Sequence, residues 1–296
     1  MALVQDRVIV TAALTGVLAT REQCPYLPYT PAEIGEEARR AYEAGAAVVH
    51  IHGRAPDGGP TWSVDTYAEI KREVQARSPI IVNFSTGGFN MGADGEAEKV
   101  ERLSYVSRTR PEIAALNMGS MNYAKYSAGR KAFVFDLVFP NPFGDILLAA
   151  TAMREGGVKP ELECFDLGHV ANAQPLLEMG ALKRPLQYSF ILGVLGGAPA
   201  SAETMAAMAR SIGREDTWEI IGIGRAQWRL VGAALALGGN VRVGLEDNFY
   251  LDAAGTEMAK GNGPLVEKAV RMARDVGREP MSPDEARKAL SLPQAW

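Results

Sequence analysis

Two of the three histidines in the 296-residue chain, His50 and His52, lie two positions apart in an apolar segment. In an extended strand, residues two apart point to the same face, so the pair would present both imidazoles side by side. Imidazole is a common zinc ligand, and one strand can supply two such ligands to a single ion. The pair alone leaves a second interpretation open, in which two partly exposed histidines end a strand and bind no metal.

Polar and charged residues also end other apolar segments that are typical of strands. They are Ser85, Asn117, Glu163, Asp166, Glu246 and Asp247. If the strands close into a barrel, their carboxyl ends meet at one mouth, where burial can shift the pKa of such groups towards catalytic values. Glu246 would complete a His2Glu set, which is a catalytic zinc pattern. A rim salt bridge between Glu246 and Arg242 is the alternative. Four residues span roughly 13 Å of straight strand, so that contact needs a bend at Gly244.

The elements that must position these residues are eight strand-then-helix units of about 30 residues each. The predicted strands are Arg7–Thr15, Ala46–His52, Pro79–Ser85, Ile113–Gly119, Glu161–Asp166, Leu186–Leu192, Trp218–Gly222 and Val241–Leu245. This alternation predicts an α/β fold, a closed (β/α)8 TIM barrel formed by residues 1–296 as a single domain with a short C-terminal helical extension. The alternative is an open doubly wound sheet, which usually carries a glycine-rich loop after its first strand, and residues 11–20 contain only Gly16.

Helices are marked by capping residues and by apolar residues at helical spacing. They are expected over Thr30–Gly45, Ser63–Arg77, Glu96–Val106, His169–Leu182, Ser201–Ile212 and Ala226–Leu237, with others beginning near Gly144, along Leu265–Val276 and after Ser282. The segment Ala132–Phe139 is apolar enough for a further strand, but Pro140-Asn141-Pro142 breaks it. We therefore expect an irregular crossover there.

Composition excludes several classes of protein. With 31 basic and 35 acidic residues the net charge is −4, and no basic stripe is present, so nucleic-acid binding is not expected. The only cysteines, Cys24 and Cys164, lie far apart, which argues against a disulfide framework and favours a reduced, cytoplasmic setting. The sequence shows neither a signal peptide nor an apolar run long enough for a membrane span, so no membrane partner is expected.

Two glycine-rich segments follow predicted strands, and each has two interpretations. Backbone N–H groups around Gly196 and Gly197, with Arg225 after Gly222, could cradle the phosphates of an anionic ligand. The same glycines could simply form tight turns that need positive φ. His169 could reach the barrel mouth, or it could begin the next helix without a chemical role.

Several segments together resemble the β-keto acid cleavage enzyme family, whose type activity is 3-keto-5-aminohexanoate cleavage. They are VTAALTG (Val10–Gly16), TREQCPYLPYTPAEI (Thr20–Ile34), AGAAVVHIHGR (Ala44–Arg54), NFSTGG (Asn83–Gly88), GIGR (Gly222–Arg225), GGNVRVGLEDN (Gly238–Asn248) and GREPMSPDEAR (Gly277–Arg287). The resemblance implies a zinc-dependent TIM barrel, usually a homotetramer, that reacts a β-keto acid with acetyl-CoA to release acetoacetate and a new acyl-CoA. The glycine loops with Gly196, Gly197 and Arg225 would then face coenzyme A.

The resemblance also implies roles for individual residues. The metal ligands would be His50, His52 and Glu246, and the catalytic group would be Ser85, Glu163, Arg242 and Asp247. Because arginine has a pKa above about 12 and is a poor base, we expect Asp247 to remove the proton and Arg242 to stabilise charge. Ser85 would donate to a developing oxyanion, and Glu163 would orient Arg242.

Two positions depart from the family pattern. Leu18 stands where the amino-substrate enzymes have a glutamate that holds the substrate's ammonium, and Ala115 stands where they have a threonine. Without that glutamate, a cationic substrate would lose a hydrogen bond worth about 1.5 to 3 kcal/mol. We therefore expect Leu18, Ala115 and Asn117 to line a pocket for a β-keto acid with a neutral, apolar tail. The neighbours of Arg54 also differ from the pattern, which leaves its role open.

A metal-dependent hydrolase of the amidohydrolase type is the competing prediction, because it also places His-x-His in a TIM barrel. Such enzymes carry the pair on strand one and need further histidines on strands five and six. Here the pair falls on strand two, and only His169 remains. A barrel that binds a ligand without catalysis is a third interpretation, and it would require the polar strand ends to be coincidental.

Overall fold

A computed structural model of the protein describes residues 6–87 and 95–292, and eight parallel strands in it close into a barrel. The strands are β2 (Val10–Ala13), β3 (Val48–Ile51), β4 (Ile81–Phe84), β5 (Ile113–Asn117), β8 (Lys159–Cys164), β9 (Gln187–Leu192), β10 (Thr217–Gly222) and β11 (Asn240–Val243). They pair in chain order, and β11 closes the ring by pairing with β2, with Val241 opposite Val10. The (β/α)8 prediction is confirmed.

Helices surround the barrel. They are α1 (Pro31–Glu43), α2 (Val64–Gln75), α3 (Glu96–Thr109), α4 (Phe143–Gly156), α5 (Leu167–Ala171), α6 (Ala173–Glu178), α7 (Ala202–Arg210), α8 (Gln227–Ala236), α9 (Gly263–Asp275) and α10 (Pro283–Ala289). The predicted capping box of α1 is present, with Thr30 accepting from the Glu33 N–H and the Glu33 carboxylate accepting from the Thr30 N–H. Within the described ranges, no helix has the length and apolarity to cross a membrane.

The prediction of one helix over His169–Leu182 is wrong, because the segment forms two short helices, α5 and α6, that meet at Asn172. Pro175 explains the break. Proline has no N–H to donate to the carbonyl four residues earlier, and its ring crowds that carbonyl, so the first helix cannot continue through it.

The first and last described segments of the chain close one end of the barrel. Strand β1 (Arg7–Val8) pairs with β12 (Glu279–Pro280). Ala286 and Leu290 of the C-terminal helical segment pack against apolar residues at the amino ends of the strands, Ile9, Ala47, Val48, Ile81 and Ile113. The carboxyl ends of the strands therefore form the mouth available to a ligand.

The expected irregular crossover is wrong: Ala132–Phe139 forms strand β7 and pairs antiparallel with β6 (Met121–Ser127). The reason is the partner strand, since MNYAKYS alternates weakly and does not stand out as a strand until β7 lies beside it. At the base of the hairpin, Met121 and Phe139 pack on Phe165, Ile191 and Ile221. The hairpin therefore forms one wall of the barrel mouth.

Candidate active site

A cavity of about 190 Å³ opens at the carboxyl ends of the strands. Its polar lining consists of His52, Ser85, Asn117, Glu163, Arg242, Glu246 and Asp247. Its apolar lining consists of Val17, Leu18, Ala19, Phe139, Phe165, Ile191, Val194, Ile221 and Ile223, with Tyr123 from the hairpin beside them. The cavity is therefore lined both by charged groups and by hydrocarbon side chains.

The two histidines and Glu246 form a compact group of possible metal ligands. Glu246 Oε1 lies 3.6 Å from His50 Nε2 and 3.3 Å from His52 Nε2. Zinc–ligand distances near 2.0–2.1 Å put neighbouring ligand atoms of a tetrahedral site about 3.3 Å apart, so the spacing fits zinc. Both ring nitrogens of His50 are buried without a hydrogen-bond partner among the described residues. Buried polar atoms are rarely left unpaired, which also indicates a missing ligand.

A glycine turn brings Glu246 to this position. Strand β11 ends at Val243, and Gly244 adopts a φ of 147° while its carbonyl accepts from the N–H groups of Asp247 and Asn248. A Cβ on Gly244 would lie 2.2 Å from the Ala13 carbonyl oxygen, so a side chain cannot be accommodated there. The turn folds the chain back over the strand, so Glu246 contacts Arg242 although four residues of straight strand would hold them far apart.

Arg242 lies beneath the turn and contacts both acidic residues that follow it. Its Nη2 lies 2.5 Å from Glu246 Oε1, and its Nε and Nη2 donate to the two carboxylate oxygens of Asp247 at 3.0 and 2.9 Å. Both interpretations of Glu246 therefore hold in the geometry, because it faces the histidines and also pairs with Arg242. Arg242 Nη1 lies 3.5 Å from Glu163 Oε1 and, among the described residues, makes no hydrogen bond.

The electrostatics of this group follow from burial and from the single guanidinium. Burial raises the pKa of Asp247 to about 6 and that of Glu163 to about 8, although Arg242 opposes both shifts. Burial also disfavours charge on Glu246, but Arg242 and the two histidines hold its pKa well below the usual range. Burial and the nearby Arg242 lower the pKa of His50, which keeps the imidazole neutral, as a metal ligand must be.

A buried polar layer that the strand-end analysis missed lies below the site. Thr11 Oγ1 donates to Glu219 at 2.8 Å, Asn83 donates to Glu161, and Ser189 Oγ lies between the two acids, 2.5 Å from Glu161 and 3.1 Å from Glu219. The missed signal was the period of two: Glu161 precedes Glu163 by two residues and therefore shares its inward face.

Glu161 and Glu163 form a second group of possible metal ligands with His50. Glu161 Oε2 lies 4.0 Å from His50 Nδ1. Glu161 is fully buried and already accepts hydrogen bonds from Asn83 and Ser189, whereas His52 and Glu246 line the cavity. Two members of the His50–His52–Glu246 group therefore reach the cavity, against Glu163 alone in the second group.

Glu219→Gln should flatten the pH dependence of stability. Burial and the neighbouring Glu161 carboxylate hold the pKa of Glu219 well above its usual range, so this carboxyl is neutral in the folded protein. The stability that it contributes is present below the pKa of the unfolded chain and is lost as pH rises towards the folded-state pKa. Between pH 5 and 9, metal-free wild-type protein should therefore lose more unfolding free energy than the variant. Denaturant unfolding measures this, with exposed Glu257→Gln as control; parallel pH profiles would contradict it.

A family model described as beta-keto acid cleavage enzyme matches residues 7–292. The chain belongs to this family. A 3-keto-5-aminohexanoate cleavage enzyme from Fusobacterium nucleatum is 39% identical over 288 residues, covering 97% of this chain and 98% of the relative. A 3,5-dioxohexanoate:acetyl-CoA acetone transferase from Paraburkholderia graminis is 34% identical over 304 residues, covering 97% and 96%. The resemblance inferred from the sequence is confirmed.

A solved structure supports the fold of this β-keto acid cleavage enzyme family member. The apo structure of ObcA aligns with a TM-score of 0.73 at 22% sequence identity, covering 90% of this chain and 66% of that longer chain. At this identity the similarity shows the fold alone.

The structure brings most of the predicted pocket residues of this family member together. Leu18 and Asn117 line the cavity, and Ser85 lies there with its hydroxyl accepting from the Gly87 N–H at 3.2 Å. Ala115 does not line the cavity. It shares the inward face of β5 with Asn117 but lies two residues deeper, fully buried, so its predicted contact with substrate is not supported by position.

Gly196, Gly197 and Arg225 are not among the cavity-lining residues, although Val194 and Ile223 from the same two loops are. Gly196 has a φ of 108°, and a Cβ there would lie 1.8 Å from the carbonyl oxygen of Asn122, so this glycine lets the loop pack on the hairpin. Arg225 is exposed in a single 3-10 turn, Gly224–Ala226. The geometry of Gly196 fits the tight-turn interpretation, and the coenzyme A contact of Gly196, Gly197 and Arg225 stays a prediction.

His169 also lies away from the cavity lining. Its Nδ1 accepts from the Phe165 N–H at 3.3 Å, its Nε2 lies 3.4 Å from the Ser120 carbonyl oxygen, and its ring fills the space above Gly119. These local contacts satisfy the side chain and fit the interpretation without a chemical role.

Proposed function

We propose that this enzyme is zinc-dependent and converts a β-keto acid with a neutral, apolar tail, together with acetyl-CoA, into acetoacetate and a new acyl-CoA. The observation that carries the proposal is one cavity lined by His52 and Glu246 of the metal-ligand group, by the Arg242–Asp247 pair and by apolar side chains, with His50 buried beside Glu246. Both relatives act on keto acids by name, and one of those names includes acetyl-CoA.

The histidine pair and Glu246 would hold the metal. When bound, zinc supplies Lewis-acid polarisation of the keto acid. The neutral His50 and the ionised Glu246 are already in the protonation states that a metal ligand needs. Glu161, 4.0 Å from His50 Nδ1, would hold the ring so that Nε2 faces Glu246.

Asp247 would remove a proton from C2 of the β-keto acid. Its carboxylate lines the cavity, and two hydrogen bonds from Arg242 fix its orientation. Arg242 remains charged throughout because three surrounding carboxylates outweigh the effect of burial and raise its pKa. Its Nη1 has no hydrogen-bond partner among the described residues and can donate to the enolate oxygen.

The remaining steps need an oxyanion donor. The C2 carbanion would attack the thioester carbonyl of acetyl-CoA, the CoA thiolate would leave and add to the original C3 ketone, and the C2–C3 bond would break. The products are acyl-CoA from C3 and the tail, and the acetoacetate enolate, which takes back a proton. Ser85 is placed for the oxyanions, because its oxygen accepts from Gly87 and its own proton remains available to donate. Glu163 would orient Arg242 Nη1.

Leu18 should select for the substrate tail. It lines the cavity with Val17 and Ala19, and no carboxylate from this loop can meet an ammonium group. We expect kcat/KM for 3-ketohexanoate to exceed that for 3-keto-5-aminohexanoate by about 10- to 100-fold, the equivalent of one charge-assisted hydrogen bond.

The variant Leu18→Glu should raise the amino-substrate to neutral-substrate ratio of kcat/KM about tenfold or more, because it restores a carboxylate at this wall. Leu18 is 52% exposed, so the variant should fold and the new carboxylate should cost little folding stability. Leu237→Glu is the matched control, since Leu237 is 51% exposed and follows α8 outside the cavity lining. Comparable turnover of both substrates by wild-type enzyme would contradict the proposed selectivity.

A panel of β-keto acids with and without acetyl-CoA tests the proposed activity. Acetoacetate should form only when the β-keto acid and acetyl-CoA are both present. A hydrolase of the amidohydrolase type, which the comparisons do not favour, would cleave its substrate without acetyl-CoA. It would also need histidines that the barrel lacks, because β9 (QYSFIL) contains none and His169 is already satisfied locally.

We further infer a homo-oligomer, specifically a tetramer, working in the cytoplasm. The hairpin carries large apolar residues that are at least half exposed, Tyr126, Phe133, Val134 and Val138, and such a ribbon is more stable when covered. Both cysteines are free and buried, which suits a reducing compartment. Light scattering after gel filtration should give four chains, and a monomer would overturn the assembly.

A further inference from the structure

Arg54 is buried and follows the metal-ligand histidine His52 by two residues, and its two terminal nitrogens donate to backbone carbonyls. The side chain is 3% exposed. Its Nη1 donates to the Gly58 carbonyl at 2.7 Å, and its Nη2 donates to the carbonyls of Thr15 and Ala19 at 2.9 Å each. The guanidinium carbon lies 4.9 Å from the centroid of the Tyr29 ring, on which the group stacks.

We propose that Arg54 is a positioning residue that holds segment 15–19 as the selectivity wall of the substrate cavity and as a support for Glu246. The proposal rests on the proposed function, because segment 15–19 selects substrates only if the cavity binds the tail of a β-keto acid. Residues 16–19 all line the cavity and lie in no helix or strand. A wall made of loop backbone needs partners outside itself to keep one shape.

The two ends of the segment are held in different ways. At the first end, Thr15 exchanges hydrogen bonds with the backbone of His52, at 3.0 and 2.8 Å, and needs no help from Arg54. At the second end, the Ala19 carbonyl accepts from Arg54 Nη2. Arg54 Nη2 donates to the carbonyls at both ends of the segment and therefore fixes the distance between them. The positions of the Leu18 and Ala19 side chains depend on that distance.

The same segment reaches the metal-ligand group. The Gly16 N–H donates to Glu246 Oε2 at 3.1 Å, on the carboxylate whose other oxygen faces the histidines. Gly16 has a φ of 56°, and its Cα lies so close to Glu246 that an added Cβ would meet the Glu246 Cγ at 2.9 Å. A displacement of the segment would therefore reach Glu246, although Arg242 holds the carboxylate independently. We therefore expect loss of Arg54 to change zinc binding little and to weaken binding of the substrate tail more.

Arg278 is a matched control at the other end of the barrel. It is 1% exposed and also donates to backbone carbonyls, those of Arg7, Leu235 and Gly239. Arg278→Met should therefore cost folding stability without touching the cavity. Arg54→Met removes the equivalent bonds beside the cavity, and Arg54→Lys retains a cation that can reach some of the three carbonyls.

Hydrogen–deuterium exchange and substrate selectivity, measured on the full-length protein, test the proposal. In zinc-free protein, Arg54→Met should speed exchange in the peptide covering residues 14–24 about tenfold, while Arg278→Met leaves that peptide unchanged. With zinc, KM for 3-oxooctanoate should rise about tenfold, while kcat for 3-oxopentanoate stays within about threefold and zinc remains near one per chain. Arg54→Lys should recover part of both changes and replaces Arg54→Met if the latter does not fold.

Unchanged exchange at residues 14–24 in both Arg54 variants would overturn the proposal, as would equal loss of selectivity in Arg54→Met and Arg278→Met. If wild-type protein turns over no β-keto acid with acetyl-CoA, the proposed function fails instead. The exchange measurement still decides in that case whether Arg54 holds the segment.

Discussion

Asp247→Asn should lower kcat/KM about 10²- to 10⁴-fold while the protein still binds about one zinc per chain. Asparagine retains the shape of the side chain but cannot accept the C2 proton. Asp247 is the acidic residue of the cavity that Arg242 orients through two hydrogen bonds. Of the other two acids beside Arg242, Glu246 faces the histidines, and Glu163 lies 3.5 Å from Arg242 Nη1 without a hydrogen bond to it. The loss should therefore lie in proton abstraction and not in metal binding.

A partial reaction isolates that step. In D2O and without acetyl-CoA, wild-type enzyme should exchange the C2 protons of its β-keto acid faster than the uncatalysed reaction, as NMR can follow, and Asp247→Asn should not. Thermal unfolding of both proteins controls for loss of fold, because the substitution weakens an ion pair of the buried Arg242. Exchange by the variant at more than a tenth of the wild-type rate would assign the base to another residue.

His52→Ala should abolish zinc binding at micromolar concentrations and lower activity by at least about 10³-fold, since the metal then keeps two of its three protein ligands. His169→Ala is the control offered by the chain's third histidine, which is engaged with Phe165 and Ser120 away from the cavity lining. The control should retain zinc and activity although it loses local hydrogen bonds.

Zinc should also stabilise the protein against unfolding, because a ligand that binds only the folded state raises Tm by mass action. We expect added zinc to raise Tm of chelator-treated wild-type protein and of His169→Ala, and to leave Tm of His52→Ala unchanged. Elemental analysis gives the metal content of each protein. Wild-type zinc affinity in His52→Ala would remove this histidine from the ligand set.

The barrel could be predicted from the sequence because its signal is local and repeated. Each buried strand is a short apolar run followed by a capped helix, and α1 shows in Thr30 and Glu33 how a cap written in the sequence becomes a pair of hydrogen bonds. The hairpin could not be predicted in the same way. Strand β7 is apolar enough for a strand, but Pro140-Asn141-Pro142 after it indicated a break, and its partner β6 is weakly apolar.

The positions of site residues that end a strand could be predicted from the sequence, whereas contacts that depend on the turn at Gly244 could not. His50, His52, Ser85 and Glu163 follow from strand direction alone. The contact of Arg242 with Glu246 depends on the φ of 147° at Gly244, which period-two spacing cannot supply. Glu161 and Glu219 could not be predicted from strand ends, because they lie at inward positions one layer deeper in the barrel. Barrels usually place aliphatic side chains in that layer, and this one places carboxyl groups there.

Substrate selectivity shows a further limit. Leu18 was identified from its departure from the family pattern and does line the cavity, whereas Ala115 departs as well but lies one layer below it. Spacing along a strand tells which face a residue occupies and not how deep a cavity reaches. The wall that segment 15–19 forms depends on Arg54, whose three carbonyl acceptors come from two different loops.

The fate of the acetyl group tests the central claim most directly. Acetyl-CoA labelled with ¹³C at both acetyl carbons should be incubated with 3-ketohexanoate and the zinc-loaded enzyme, and the products analysed by mass spectrometry and NMR. The label should appear in C3 and C4 of acetoacetate, with an unlabelled four-carbon acyl-CoA formed in equal amount. Label that stays in acetyl-CoA while the β-keto acid is cleaved, or label released as acetate, would contradict the proposed reaction.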